Sequence, residues 1–486
     1  MNQEILQLQP HAVWRYFAEL NAVPRGSKKE QRATAFMVDF GHRLGLDTLQ
    51  DDLGNVIIRK PGTPGMTDRT PVVLQGHLDM VHQKNSDTDF DFDTQGIEMF
   101  IDGDWVKARG TTLGADNGIG VASAMAILAS EDIPHPAIEA LFTIDEETGM
   151  TGAMGLKGGL LSGEILLNLD TEDDQEITIG CAGGIDVTAR GTYPQEKPAA
   201  NGAAFIVKVL GLTGGHSGVD IHCGRGNANK LLNRLLFRAT EPFGLRIASI
   251  DSGGLRNAIP REGFAQVVVE PSKAGEFQEF IAGQGVVLQA EYAVTDPGLK
   301  VVIEPSELPA AVLDEAFGAK LLRAIYASLN GVFRMSPDIE GLVQTSNNLA
   351  RVNVADGSYE IMCLTRGSVD SEKLDLACAL RCTFELIGAD VELRGDYPGW
   401  TPKPDSPVVK LLGAVYEELF NEKAKVMACH AGLECGILGA NYPDMQMISF
   451  GPNIRGPHSP DEKVQVSSVQ KYWKLLTETL KRIPGK

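Results

Sequence analysis

His77 and Asp79 stand two residues apart in GHLDMV, at the end of the apolar run PVVLQ. In an extended strand alternate side chains share a face, so the two point the same way. Such a pair lets a carboxylate hold the far nitrogen of a metal-binding imidazole; a solvated strand end is the plain alternative. Asp116, in LGADNGIG (113–120), lies at a glycine-flanked junction between strand and helix. Its carboxylate either caps the helix that follows or reaches two cations at once. Glu146 and Glu147 follow the apolar strand pattern in FTIDEETG (142–149). Adjacent carboxylates repel and their side chains diverge, so one is suited to a metal and the other to a substrate as a base; a charged loop rim is the alternative. Asp170 closes LLNLD, as ligand or as turn aspartate, and His458 sits between prolines in GPNIRGPHSPDE, as ligand or as a loop histidine held by backbone bonds.

All five segments lie where an apolar strand pattern ends and a loop begins. That edge is where open α/β sheets bind ligands. Two histidines and three or more carboxylates, with no cysteine, suit a site for two borderline divalent ions, zinc, manganese or cobalt rather than calcium. The elements that must position them alternate between strand and helix up to about residue 185: strands VVLQGHLDMV, AIEALFTID and EILLNLD, and a helix that opens at Asp116-Asn117 and continues as GIGVASAMAILAS. Residues 186–399 change texture. Two weakly related α+β units follow one another there, with helices through NANKLLNRLLFRA, DEAFGAKLLRAIYASL and SEKLDLACALRCTFELIG. The proline- and glycine-rich DYPGWTPKPDSP (396–407) reads as a return linker, after which residues 400–486 rejoin the first domain of residues 1–185. The expected architecture is therefore α/β, a central mixed sheet flanked by helices, with an inserted α+β domain.

A chain of 486 residues exceeds the roughly 250 to 300 at which one core stops growing, in keeping with two domains. With 64 acidic against 44 basic residues the net charge is -20, a field that repels phosphate backbones and anionic membranes, so neither nucleic acid nor membrane is an expected partner. The start, MNQEILQLQPHAVWRYFAEL, suits an amphipathic helix and lacks the basic start and apolar run of a signal peptide. Seven cysteines without a paired CxxC spacing read as free thiols in a reducing cytoplasm.

FAELNAVPRGSKKE, DDLGNVIIRKPG, GHLDMV, GADNGIG, DEETG, NLDTED and GPHSPDE, in that order over most of the chain, resemble successive blocks of the co-catalytic metallopeptidases that include carnosinases, aminoacylases and cytosolic peptidases. GLTGGHSGVDI and HAGLECGIL extend the resemblance to the middle and the end. The resemblance implies that Asp116 bridges two metals, that His77 and Asp170 complete one site and Glu147 and His458 the other, and that Asp79 orients His77. It makes Glu146 the general base and acid, and it implies a cis Asp116-Asn117 peptide. It further implies that His216 lies on a lid near the scissile carbonyl. Arg366 in LTRGSVD is then a clamp for a substrate carboxylate, Asn347 and Thr345 in QTSNN add hydrogen bonds, and Glu434 takes a free amino group. The activity implied is hydrolysis of unblocked dipeptides, including Xaa-His and β-alanyl-histidine, by a cytoplasmic homodimer paired through the lid. An aminoacylase or other exopeptidase of the same family, or an inactive metal-binding protein, is the alternative.

Overall fold

Val72–His77, Ile138–Thr143 and Ile165–Asn168 are buried at every position. Runs of that kind, without polar alternation, belong in the middle of a parallel sheet covered on both faces. The computed structural model describes residues 4–485 and places all three side by side and parallel. They form the centre of an eight-stranded mixed sheet in the order Asp47–Gln50, Val56–Lys60, Ile138–Thr143, Val72–His77, Ile165–Asn168, Gln446–Ser449, Glu176–Cys181, Lys425–Cys429. Because the central three run the same way, their carboxyl ends emerge together. A four-stranded antiparallel sheet joins Met99–Asp102 and Trp105–Ala108 to Lys463–Gln465 and Ile454–Arg455.

The helix Ala115–Ala129 is small or apolar nearly all round, and accordingly it is buried nearly all round, against the strand Val72–His77 and the helix His11–Asn21. Its close approach depends on Gly120, where a Cβ would run into the Leu169 carbonyl oxygen and the Asn117 side chain. The amphipathic helix expected at the start is His11–Asn21; residues 1–3 of that stretch lie outside those described. Among the described residues no helix is long and apolar enough to cross a membrane.

The chain divides into two units. One comprises Met1–Gly180, Trp400–Ala428 and Leu433–Lys486, and the other Cys181–Gly399 and Cys429–Gly432. The expected division at 185/186 thus falls earlier, because Gly183–Thr192 is already a strand of the second unit's sheet, paired with Ser358–Gly367. Residues 429–432, expected in the first unit, belong to the second, where the Ala431 carbonyl accepts from Ala182 N–H.

In the second unit one antiparallel sheet runs in the order Lys300–Pro305, Ala203–Leu210, Gly263–Val269, Arg246–Gly253, Val343–Ala355, Ser358–Gly367, Gly183–Thr192, Asp390–Tyr397, with Gly331–Met335 also paired to Val343–Ala355. The helices Ala228–Phe243, Ala274–Glu291, Glu315–Ala327 and Asp370–Glu385 share a single hydrophobic core with it. The two expected α+β halves are not consecutive. The first half, 203–305, is inserted into the second, which takes its first strand, Gly183–Thr192, from upstream of it. Each half has its four strands in the spatial order fourth, first, third, second, and the halves meet where Arg246–Gly253 pairs with Val343–Ala355.

Candidate metal centre

His77 is the last residue of its strand, Glu146 and Glu147 follow the end of Ile138–Thr143, and Asp170 lies two residues beyond Ile165–Asn168. Parallel neighbours bring these ends to one edge of the sheet. Asp116 reaches the same edge from the first turn of Ala115–Ala129, where its own backbone is not helical and its peptide to Asn117 is cis. His458 comes from the loop between Ile454–Arg455 and Lys463–Gln465.

Asp116 stands between the two imidazoles. Its Oδ1 is 3.1 Å from His77 Nε2 and its Oδ2 is 3.3 Å from His458 Nε2. His77 Nε2 is also 3.5 Å from Asp170 Oδ1 and 4.0 Å from Glu146 Oε2, and His458 Nε2 is 2.9 Å from Glu147 Oε2. Two ligand sets with Asp116 in common therefore have their donor atoms close together: His77, Asp116 and Asp170, and Asp116, Glu147 and His458. His77, Glu146 and Glu147 form a third such grouping. Of these residues His458 is the exposed one.

The far nitrogen of His77, Nδ1, lies 3.2 Å from the Asp79 carbonyl oxygen and 3.4 Å from Asp79 Oδ1. Both are acceptors, so Nδ1 carries a hydrogen, which leaves Nε2 as the nitrogen that would turn its lone pair to a cation. The Asp79 carboxylate also accepts the Ser27 hydroxyl and the backbone N–H groups of Glu146 and Glu147, at 2.8, 3.0 and 3.2 Å. One carboxylate thus orients the imidazole and fixes the backbone of both glutamates.

So many charges at close quarters shift one another. Burial pushes the Asp170 carboxyl up to about 6 and the Glu146 carboxyl well above its ordinary value. Burial acts the same way on Asp116, but hydrogen bonds from His458 and His77 outweigh it and hold that carboxyl below the usual range. Hydrogen bonds to Asp116 and Glu147 carry the His458 imidazole up to about 11. Burial alone would lower His77, but the charge of Asp170 and hydrogen bonds to its neighbours raise it well above 6.5. Glu147 Oε1 and Asp170 Oδ1 are buried and accept no hydrogen bond. Converging carboxylates whose buried oxygens lack donors are a cation site that the protein's own hydrogens do not satisfy. Oxygen and imidazole donors without thiolate fit divalent ions of the zinc, cobalt and manganese kind.

Glu434 opens the helix Glu434–Asn441 in the same unit. Its Oε2 accepts from Gln75 Nε2 and the Thr143 hydroxyl at 2.6 and 2.7 Å, its Oε1 is buried without a partner, and burial pushes its carboxyl up to about 7. The remaining expected site residues lie in the second unit. His216 Nδ1 accepts the N–H groups of Gly218 and Val219, at 3.1 and 3.0 Å, which leaves its hydrogen on Nε2. Arg366 is buried and donates from Nε to the Ser217 hydroxyl and from Nη1 to Tyr397 Oη. Asn347 donates to the Leu329 carbonyl and accepts from Thr365, and the Thr345 hydroxyl donates to Glu372. Both of those side chains already have partners within the second unit.

Two buried residues at the centre were not singled out from the sequence. Arg25 donates to the carbonyl oxygens of Leu78, Asp79 and Gly114, and Glu462 accepts the backbone N–H groups of residues 113–116. The available signals were slight: an arginine between proline and glycine in VPRG, and an acidic residue four positions after His458.

Comparison with known proteins agrees with this geometry. Residues 73–482 match the model of peptidase family M20/M25/M40. The chain is 45% identical over 483 residues, 99% of its length and 100% of the relative's, to the cytosol non-specific dipeptidase of Escherichia coli (strain K12). The crystal structure of aminoacylhistidine dipeptidase from Vibrio alginolyticus is 43% identical and superposes with a TM-score of 0.93, covering 100% of this chain and 99% of that one. The aminopeptidase PepT of Bacillus cereus, 16% identical, shares the fold with a TM-score of 0.57 over 98% and 99% of the two chains. The chain that carries these two donor sets around Asp116 therefore belongs to peptidase family M20/M25/M40.

Proposed function

We propose that this chain is a metal-dependent dipeptidase that hydrolyses unblocked dipeptides of broad sequence, Xaa-His and β-alanyl-histidine among them, to free amino acids. The observation that carries the reading is the pair of donor sets sharing Asp116. Relatives named as dipeptidases support the substrate class.

In this reading His77, Asp116 and Asp170 would hold one divalent cation, and Asp116, Glu147 and His458 would hold the other. Zinc is the expected metal, with cobalt or manganese in its place under other supply. A bound pair would supply Lewis acidity to the attacking water and to the peptide carbonyl. Asp79 keeps the hydrogen of His77 on Nδ1. Glu146, its backbone held by Asp79, takes the proton of the attacking water on its carboxylate and passes it to the leaving amine. His216, with its hydrogen on Nε2, donates to the carbonyl oxygen as charge develops there. The Arg366 guanidinium takes the substrate carboxylate as a fork, and Glu434, through Oε1, takes the free amino group. Asn347 and Thr345 add substrate hydrogen bonds in this scheme only by exchanging their present partners. The reading places a homodimer, paired through the inserted domain, in the cytoplasm; the Escherichia coli relative, named as a cytosol dipeptidase, supports that compartment.

The test is amino-acid release by metal-loaded protein from β-alanyl-histidine and unblocked α-dipeptides, beside N-acetylated amino acids and tripeptides, with a chelated control. Chelator-sensitive cleavage confined to the unblocked dipeptides is expected. Cleavage of the acetylated compounds instead would make the enzyme an aminoacylase, and no cleavage at all would leave a metal-binding protein.

A further inference from the structure

The turn that carries Asp116 is gripped from two sides by opposite buried charges. Glu462 accepts from four successive backbone amides: Leu113 and Gly114 on Oε2, at 2.7 and 3.0 Å, and Ala115 and Asp116 on Oε1, at 2.7 and 3.3 Å. Arg25 takes the other side of the turn. Its Nη2 donates to the Gly114 carbonyl at 2.5 Å and to Asn21 Oδ1, while its Nη1 donates to the carbonyls of Leu78 and Asp79, the two residues after His77. The fit is tight: Gly114 has a φ of 69°, and a side chain there would meet Arg25 and Met80.

Glu462 also belongs to the loop of His458. That loop is braced internally, by Glu462 N–H to the Ser459 carbonyl and by the Ser459 hydroxyl to the Gly456 carbonyl. We propose that Arg25 and Glu462 are positioning residues for the metal centre, Arg25 fixing Asp116 against His77, and Glu462 fixing Asp116 against His458, so that Glu462 governs the cation held by Asp116, Glu147 and His458. The inference rests on the two-cation reading above. An ionised carboxylate is needed because it is acceptor-only; an amide would turn its NH2 group against two of the four amides. A general structural role would lower stability without distinguishing the two cations.

The experiment is a Co2+ titration of metal-free wild type and Glu462→Gln, followed by calorimetry and by the visible absorption of the bound ion, with the unfolding midpoint of each metal-free protein as reference. In Glu462→Gln one Co2+ is expected to bind as in wild type and the other about 10- to 100-fold more weakly, the usual effect of removing a partner that orients a ligand. The spectrum of the second ion should be altered even at saturation. If wild type fails to bind two Co2+, the two-cation reading itself is lost. If wild type binds two and Glu462→Gln binds both unchanged, or both weakened alike, the positioning role alone is overturned. Should Glu462→Gln not fold, Glu462→Asp, which keeps the charge but draws it back by one methylene, is read by the same outcomes.

Discussion

Glu146 and Glu147 are consecutive, yet their surroundings divide the work between them. Glu147 Oε2 is 2.9 Å from His458 Nε2 and its Oε1 is buried without a donor, whereas Glu146 Oε2 comes no nearer than 4.0 Å to His77 Nε2. His77, Glu146 and Glu147 also form a possible ligand set, so the division can be tested. Replacing Glu146 by Ala should lower kcat by about 10²- to 10⁴-fold, the range for a positioned acid–base group, while metal analysis still finds two ions per chain. Replacing Glu147 by Ala should cost one ion. Loss of metal in the Glu146 variant would mean the two roles are exchanged. The candidate ligands were legible in the sequence because each is a reactive side chain at the end of an apolar run. Arg25 and Glu462 were not, because their work is done on backbone atoms 89 and 346 to 349 positions away, such as Gly114 from Arg25 and residues 113–116 from Glu462.

At the level of elements, the helix Ala115–Ala129 and the residue that follows the strand Ile165–Asn168 meet at a hydrogen bond from Asn117 Nδ2 to the Leu169 carbonyl, each partner adjacent in the chain to a candidate ligand, Asp116 or Asp170. Gly120 lies directly against that bond. Gly120→Ala would force helix and strand apart, at a cost of about 1–3 kcal/mol for an overpacked contact, and would move both carboxylates. We expect a lower urea midpoint in chelator and weaker metal retention on dialysis; an unaltered midpoint would show that the two elements have room to spare. The small residues of GIGVASAMAILAS announced this close packing in advance. Other elements gave no such notice. The helix Ala274–Glu291 buries Phe277, Ile281 and Leu288, but Val286 and Val287 face solvent and Gly283 and Gly285 interrupt the pattern, so its periodicity is blurred. The interleaving of the two halves of the second unit was illegible for a different reason: pairing between Gly183–Thr192 and Ser358–Gly367 is long-range, and no local signal records it.

At the scale of the whole molecule, every ligand of both donor sets belongs to the first unit, although those residues span positions 77 to 458. Cations that bind the folded first unit and not its unfolded chain stabilise it by mass action, by about 2.7 kcal/mol for an ion at 100 times its Kd. The second unit gains nothing directly from them, so removal of metal should affect the two units unequally. The chain carries its own means of telling them apart. Its four tryptophans, Trp14, Trp105, Trp400 and Trp473, all lie in the first unit, whereas helices and strands of both contribute to far-ultraviolet dichroism. Unfolding followed by tryptophan fluorescence should therefore shift to lower urea on chelation by the full amount, and the dichroism should split into a chelator-sensitive and a chelator-insensitive transition. A shift seen in the dichroism without a matching shift in the fluorescence would place the stabilising ions in the second unit and overturn the assignment of the centre to His77, Asp116, Glu147, Asp170 and His458.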